Sequence, residues 1–386
     1  FDFTNLDAFD FKWQLLADGQ VVKTGEFNLN VAPNKTKAVT IALPELGDKE
    51  YFLSVYGYTK KAKAMVPAGH EMAREQFKVG GNTYFDAADI ATAGQLNVSK
   101  KGDQLQFSTE KIEGVFNTKT GSFESYHLKD HQQSPISVFP EPYFWRAPTD
   151  NDFGNGMPQK LKAWKEATHN ATVTHVEVAK KAKEGQQITV TYQLGGVAVP
   201  YTVAYFIENN GDIKVTATLD SDKDLPELPR FGMRMVLPGD YDNLEYYGRG
   251  PWENYSDRNT SAFMGVYKDQ VENQFTWEYI RPQEAGYKTD ARWIRLENKK
   301  GAGLQITGEQ PLGFSALNIP TEDLDPGEGK AQRHPTDITV QDKVFLHIDL
   351  KQRGLGGDDS WGRYPHQQYR LEDNSYQYSY TISLID

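Results

Sequence analysis

The sequence predicts an all-β protein of two sandwich domains, and three observations carry that reading. Apolar and polar residues alternate at period two along most of the chain, turn-forming residues break the alternation roughly every ten positions, and no strand-like run feeds a helix of the kind that builds a parallel sheet. At 386 residues the chain exceeds what one hydrophobic core usually supports.

The elements follow in order. Phe11, Trp13 and Leu15 alternate, and Asp18-Gly19 then turns the chain into Val21-Val22, a dipeptide suited to a tight primed turn. Val39, Ile41 and Leu43 alternate again and are expected to form a strand, as are Leu53 and Val55. Short strands over residues 1–82 fit a small immunoglobulin-like sandwich. Residues 83–94, Ala-rich and poor in large apolar side chains, read as a linker. From 95 to 386 the runs are separated by turns at Lys100 to Asp103, Glu184-Gly185, Asn209 to Asp212 and Asn298 to Gly301. Ile188, Val190, Tyr192 and Leu194 share a face, as do Ile213 to Leu219, Val344 to Leu350 and Tyr376 to Ile382 at every second position. That many strands predict one large antiparallel super-sandwich of two sheets. Only Pro158 to Ala167, with Leu161 and Trp164 three apart, is expected to be helical, and a (β/α)₈ barrel is excluded.

Composition narrows the function. With 42 basic and 53 acidic residues the net charge of −11 opposes nucleic-acid binding. No apolar run is long enough to span a bilayer. The absence of cysteine removes disulfides, thiolate metal sites and a thiol nucleophile. The start at Phe1, without Met or a signal-peptide pattern, suggests a cut fragment, and the compartment stays open between periplasm and cytoplasm. Aromatic residues make up 12%, which serves cores and also suits stacking on sugar rings.

Four polar, irregular segments lie between the strands. In the first, Trp145 to Gly154, the side chains of Asp150, Asn151 and Asp152 follow a proline and either form an Asx-rich turn capping the next helix or face a ligand. In the second, Tyr247 to Arg258, the groups Arg249, Glu253, Asn254, Asp257 and Arg258 interleave with aromatic rings. Hydroxyl-rich ligands need such mixtures, and a buried ion-pair network would use the same residues. In the third, Arg281 to Trp293, the residues Arg281, Glu284 and Arg292 either hold one another or meet a sugar. In the fourth, Leu355 to Gly362, glycines surround Asp358, Asp359 and Trp361 in a loop too tight to bury its own indole. Something else must cover that ring, and two adjacent carboxylates are weak grounds for a cation. His70, His334, His347 and His366 lack partners nearby in sequence and are expected at the surface or in loops.

The strings R-A-P-T-D-N-D at 146–152, G-R-G-P-W-E-N-Y-S-D-R at 248–258, R-P-Q-E-A-G-Y-K-T-D-A-R-W at 281–293 and G-G-D-D-S-W at 356–361 resemble the C-terminal domain of bacterial β-galactosidases of glycoside hydrolase family 2. A-G-H-E at 68–71, with Trp13, Asp18-Gly19 and Val31-Ala32-Pro33, is similar to the immunoglobulin-like domain that follows the catalytic barrel in those enzymes. The resemblance implies a galactose-mutarotase-like super-sandwich. It also implies a parent protein that cleaves terminal β-galactosides with retention, on a barrel that holds both catalytic glutamates and magnesium and is missing here. No catalytic residue and no cofactor is then expected in this chain. Its partners would be β-galactosides and the barrel of the same parent chain, with a homo-oligomeric parent left open. Trp361 is implied to reach the barrel's substrate site, and the remaining motif residues either face sugar or order loops. Two rivals are a stand-alone aldose epimerase on the same sandwich and a carbohydrate-binding module.

Overall fold

The computed structural model describes residues 2–81, 84–85, 93–131, 133–359 and 361–386, so most of the expected linker lies outside the described residues. The chain forms two compact units, one running to residue 88 and taking in residues 263–266, the other comprising 89–262 and 267–386.

In the smaller unit Gln20–Phe27, Phe9–Ala17, Tyr51–Thr59 and Glu71–Gly80 form one antiparallel sheet in that order. Asp18 and Gly19 take φ of 46° and 77°, the left-handed pair a primed hairpin turn requires. Trp13, Leu15 and Leu53 are its buried centre. Gly25 lies across from Trp13, where an added Cβ would fall 2.5 Å from the indole. The strand expected around Val39 to Leu43 does not form a ladder. Ile41 and Leu43 pack on the Trp13 cluster from an extended segment, so their alternation reflects burial on one side without backbone pairing.

The larger unit holds a twelve-stranded antiparallel sheet. Its path runs through Thr172–Val178, Gly185–Gln193, Pro200–Glu208, Ile213–Asp220, Ser375–Ile385, Gly303–Leu317, Lys288–Glu297, Asn243–Gly250 and Phe263–Gln270. Arg230–Pro238 pairs with Val138–Tyr143 and with Lys343–Gln352, which joins the path at Gly303–Leu317. A meander of Asn97–Lys101, Gln104–Ser108, Ile112–Asn117 and Ser122–Leu128 covers one face. There Phe116 and Phe123 meet Tyr205, with ring centroids 5.9 and 5.2 Å apart.

The alternation predicted from sequence holds in Ile213–Asp220, whose apolar side chains are buried and whose polar ones are half-buried or, at Asp220, exposed. Lys343–Gln352 departs from it, because both faces are buried. Val344, Leu346 and Ile348 enter the core, while His347 and Asp349 sit on the other face. His347 is therefore not the surface histidine expected. The expected helix over 158–167 is broken at Leu161 into Met157–Lys160 and Lys162–His169, and Trp164 is anchored by its indole N–H to the Pro226 carbonyl at 2.9 Å. A further helix, Asp150–Asn155, occupies part of the first polar segment.

Candidate functional site

Asp150–Asn155 begins with a reciprocal cap: Thr149 N–H donates to Asp152 Oδ2 at 2.8 Å, and Asp152 N–H donates to Thr149 Oγ1 at 3.3 Å. The same carboxylate binds Arg146, with Nη2 to Oδ1 at 2.9 Å, and Arg353, with Nη1 to Oδ1 at 3.0 Å. Arg353 Nε continues to Glu227 at 2.7 Å, and Arg370 reaches the other Glu227 oxygen at 2.9 Å. Arg146, Asp152 and Arg353 are wholly buried. Desolvating these charges is tolerable only because each faces an opposite one at close range. Arg146 and Asp152 thus hold the first segment in place and have no surface to offer a sugar.

Other motif residues fasten segment to segment. Asn254 is buried: its Oδ1 accepts from Thr289 N–H at 3.0 Å and Thr289 Oγ1 at 2.6 Å, while its Nδ2 donates to the carbonyls of Arg249 and Trp252 at 3.1 Å each. It too is a bracket, not a sugar contact. Glu253 accepts from Gly286 N–H and Thr276 Oγ1 at 2.8 Å, and from Tyr279 OH and Arg258. Arg249 pairs with Asp290 at 2.5 Å, and Arg292 donates to the Asp290 carbonyl at 2.6 Å while lying over Tyr247. Asp257 Oδ2 accepts from Gly356 N–H at 2.8 Å, and Asn151 donates to the Leu355 carbonyl at 3.3 Å. Arg281 and Lys330 flank Asp150 at 3.2 and 2.8 Å.

The result is one cleft of about 520 Å³ lined from all four segments: Asp150 and Asn151, Asp257 and Arg258, Gln283 and Glu284, and Gly356 to Asp358. Tyr279, His366, Gln368 and Tyr369 complete it. Carboxylates, amides, phenols and a guanidinium converge there, a set able to hydrogen-bond several hydroxyls of one ligand. His366, which had no partner nearby in sequence, reaches back over its own loop to Asp358 at 2.7 Å and holds that carboxyl below the usual range by this hydrogen bond. Asp359 accepts from Trp361 N–H at 2.8 Å and lies 3.5 Å from Arg363. The two adjacent carboxylates therefore turn to different partners. Among the described residues no three histidines or carboxylates gather as metal ligands. Trp361 is 90% exposed, on the loop whose Gly356 to Asp358 form a wall of the cleft.

Glu284 has a second role beneath the cleft floor. It accepts from Arg230 Nη2 and Gln352 Nε2, both at 2.8 Å. Arg230 Nε also lies 3.1 Å from Asp349, and its Nη1 donates to His347 Nδ1 at 2.8 Å. One guanidinium serves two buried carboxylates, so burial pushes Asp349 up to about 7. Burial and the neighbouring Arg230 keep His347 neutral, its pKa well below the ordinary value. Sequence reasoning missed Arg230, Asp349, Glu227 and Arg353, which lie inside or just beyond strands and carry no local signal.

Residues 108–383 match the family model described as the beta galactosidase small chain. The chain belongs to that β-galactosidase family. Residues 1–80 match a second model, described as β-galactosidase domain 4. The β-galactosidase of Priestia megaterium is 34% identical over 98% of this chain, and that of Streptococcus thermophilus 29% identical over 100% of it. In both cases the chain spans 36% of the relative's length, so these β-galactosidases are much longer polypeptides. Among solved structures, a protein provisionally assigned as an aldose 1-epimerase from Escherichia coli K12 covers 76% of this β-galactosidase-family chain. It matches over 99% of its own length, with a TM-score of 0.33 and 8% identity.

Proposed function

We propose that this chain is the C-terminal, non-catalytic portion of a longer retaining β-galactosidase of glycoside hydrolase family 2. In this reading the remainder of the polypeptide supplies a barrel with both catalytic glutamates and magnesium. The present portion scaffolds that barrel and completes its galactoside site with Trp361. The observation that carries the reading is the convergence of the four segments on one cleft, with an indole left 90% exposed a few residues along the loop that forms one of its walls. An exposed tryptophan rimmed by polar groups suits a surface that another body covers, and indoles are strong anchors for apolar sugar faces. The reading expects the purified chain to leave a chromogenic β-galactoside intact. Turnover comparable with an intact β-galactosidase would overturn it.

A second reading has one observation in its favour: His366 and Glu284 line the same cleft, the residue types an aldose epimerase uses as acid and base. Against it, Glu284 is tied to Arg230 and Gln352. Polarimetry of freshly dissolved α-galactose separates the two, since only the epimerase reading expects accelerated mutarotation.

A further inference from the structure

The smaller unit carries a strand-like run with an open edge. Ala38 to Leu43 reads Ala-Val-Thr-Ile-Ala-Leu, without a charge and with three β-branched side chains in succession. Ile41 and Leu43 are half-buried on the Trp13 cluster, over one face of the four-stranded sheet, while Ala38, Thr40 and Ala42 are exposed. Among the described residues, 36–46 make no backbone hydrogen bond. Proteins guard a free strand edge with charges, proline or a bulge, because its open amides and carbonyls invite another strand. This run has none of these within it. A neighbouring strand would turn the single segment into the second layer that a sandwich requires.

The direction of the run follows from its ends. At its start, Leu6 N–H donates to the Val31 carbonyl at 3.1 Å, and Asn5 Oδ1 accepts from Val31 N–H at 3.0 Å. A turn closed by Lys35 N–H on the Ala32 carbonyl at 3.2 Å then redirects the chain. At its far end, Leu46 Cδ1 lies 3.1 Å from where a Gly80 Cβ would stand, and Gly47 N–H donates to Tyr51 OH at 3.2 Å. Tyr51 pairs with both Ala17 and Gly80. Residues 36–46 therefore cross the sheet from its Phe9 end to its Ala17 end. Asn5 lies where the run starts, so polypeptide leading into Asp2 can follow the run only by coming from the Leu46 end, which makes the pairing antiparallel. With the two segments already tied together at Asn5, Leu6 and Val31, little loop-closure entropy is lost in bringing them side by side, an advantage that a second copy of the chain lacks.

We propose that the polypeptide immediately preceding Phe1 in the longer protein forms an antiparallel strand on Ala38 to Leu43, with apolar side chains at every second position covering Ile41 and Leu43. The inference rests on the reading of this chain as part of a longer β-galactosidase. The test is hydrogen exchange of residues 36–46, resolved to single amides by mass spectrometry, in three proteins. These are the 386-residue chain, the same chain extended by about 20 of its own preceding residues, room for a strand and its connection, and the longer enzyme. Circular dichroism verifies that each is folded. In the 386-residue chain all amides from Ala38 to Leu43 should exchange freely. In the other two every second amide should slow by about 100-fold or more, since one neighbouring strand engages alternate N–H groups. Free exchange in all three would overturn the proposal. So would slowing confined to the longer enzyme, which assigns the cover to another part of it, or slowing already present in the 386-residue chain, which assigns the edge to a second copy. The extended chain has no barrel, so these outcomes leave the galactoside reading untouched, and failure of that reading shows instead as turnover by the 386-residue chain.

Discussion

Replacing Asp349 by Asn tests the buried network beneath the cleft, because it removes an ionisation while keeping size and shape. Asp349 lies on the polar face of Lys343–Gln352, within 3.1 Å of Arg230, and that single guanidinium is shared with Glu284. Burial raises its pKa from 3.8 to about 7, so between these values the folded chain holds a proton that the unfolded chain has lost. Its contribution is fully present below pH 4 and is lost as pH rises toward 7. The range corresponds to about 4 kcal/mol at ~1.4 kcal/mol per pH unit. His347 works in the opposite direction. It accepts from Arg230 and stays neutral when folded, so its contribution is lost as pH falls below 6.5, where the unfolded imidazole takes up a proton. In the unsubstituted chain the two slopes offset each other between pH 4 and 6.5. Asp349→Asn exposes the histidine slope: relative to the unsubstituted chain the variant should gain up to about 4 kcal/mol between pH 4 and 7. Urea unfolding of both proteins at several pH values in this interval measures it. A stability difference that does not vary with pH would refute the reasoning.

Asp152→Ala leaves the buried Arg146 and Arg353 short of a carboxylate and removes the cap of Asp150–Asn155, and should cost about 3–5 kcal/mol in urea unfolding. Asp152→Asn, which keeps part of the hydrogen bonding, should cost less. Gly25→Ala drives a methyl into the Trp13 indole and should destabilise the smaller unit by about 1–3 kcal/mol, read from the midpoint of a tryptophan-fluorescence transition. Trp361→Ala, at a side chain 90% exposed, should change the stability of this chain by no more than about 0.5 kcal/mol in the same assay.

Much of the fold was legible because a sandwich strand with one face buried writes its environment into every second residue, as in Ile213–Asp220. That code fails in two ways here. Ile41 and Leu43 alternate because one side packs on Trp13, and alternation says nothing about whether the backbone finds a neighbour to pair with. In Lys343–Gln352 both faces are buried, and the second is occupied by His347 and Asp349, whose partner Arg230 lies on another strand, over a hundred residues away in sequence. The four irregular segments stood out because strand interiors do not tolerate such mixtures of glycine, carboxylate and amide. What composition could not separate was the bracket from the lining. Asp152 and its neighbour Asn151 look equivalent in sequence, yet the first turn of helix sends one beneath Arg146 and Arg353 and the other toward the cleft. The Trp361 loop was more transparent, since Gly356, Gly357 and Gly362 leave no bulk nearby to cover an indole.

The measurement that bears most directly on the role proposed for this chain is the Michaelis constant, for 2-nitrophenyl β-galactoside, of the longer β-galactosidase proposed to contain it, with Trp361 intact and as Trp361→Ala. Loss of an aromatic platform worth about 1–2 kcal/mol should raise it roughly 5- to 30-fold while the enzyme stays folded. An unchanged Michaelis constant would contradict the account.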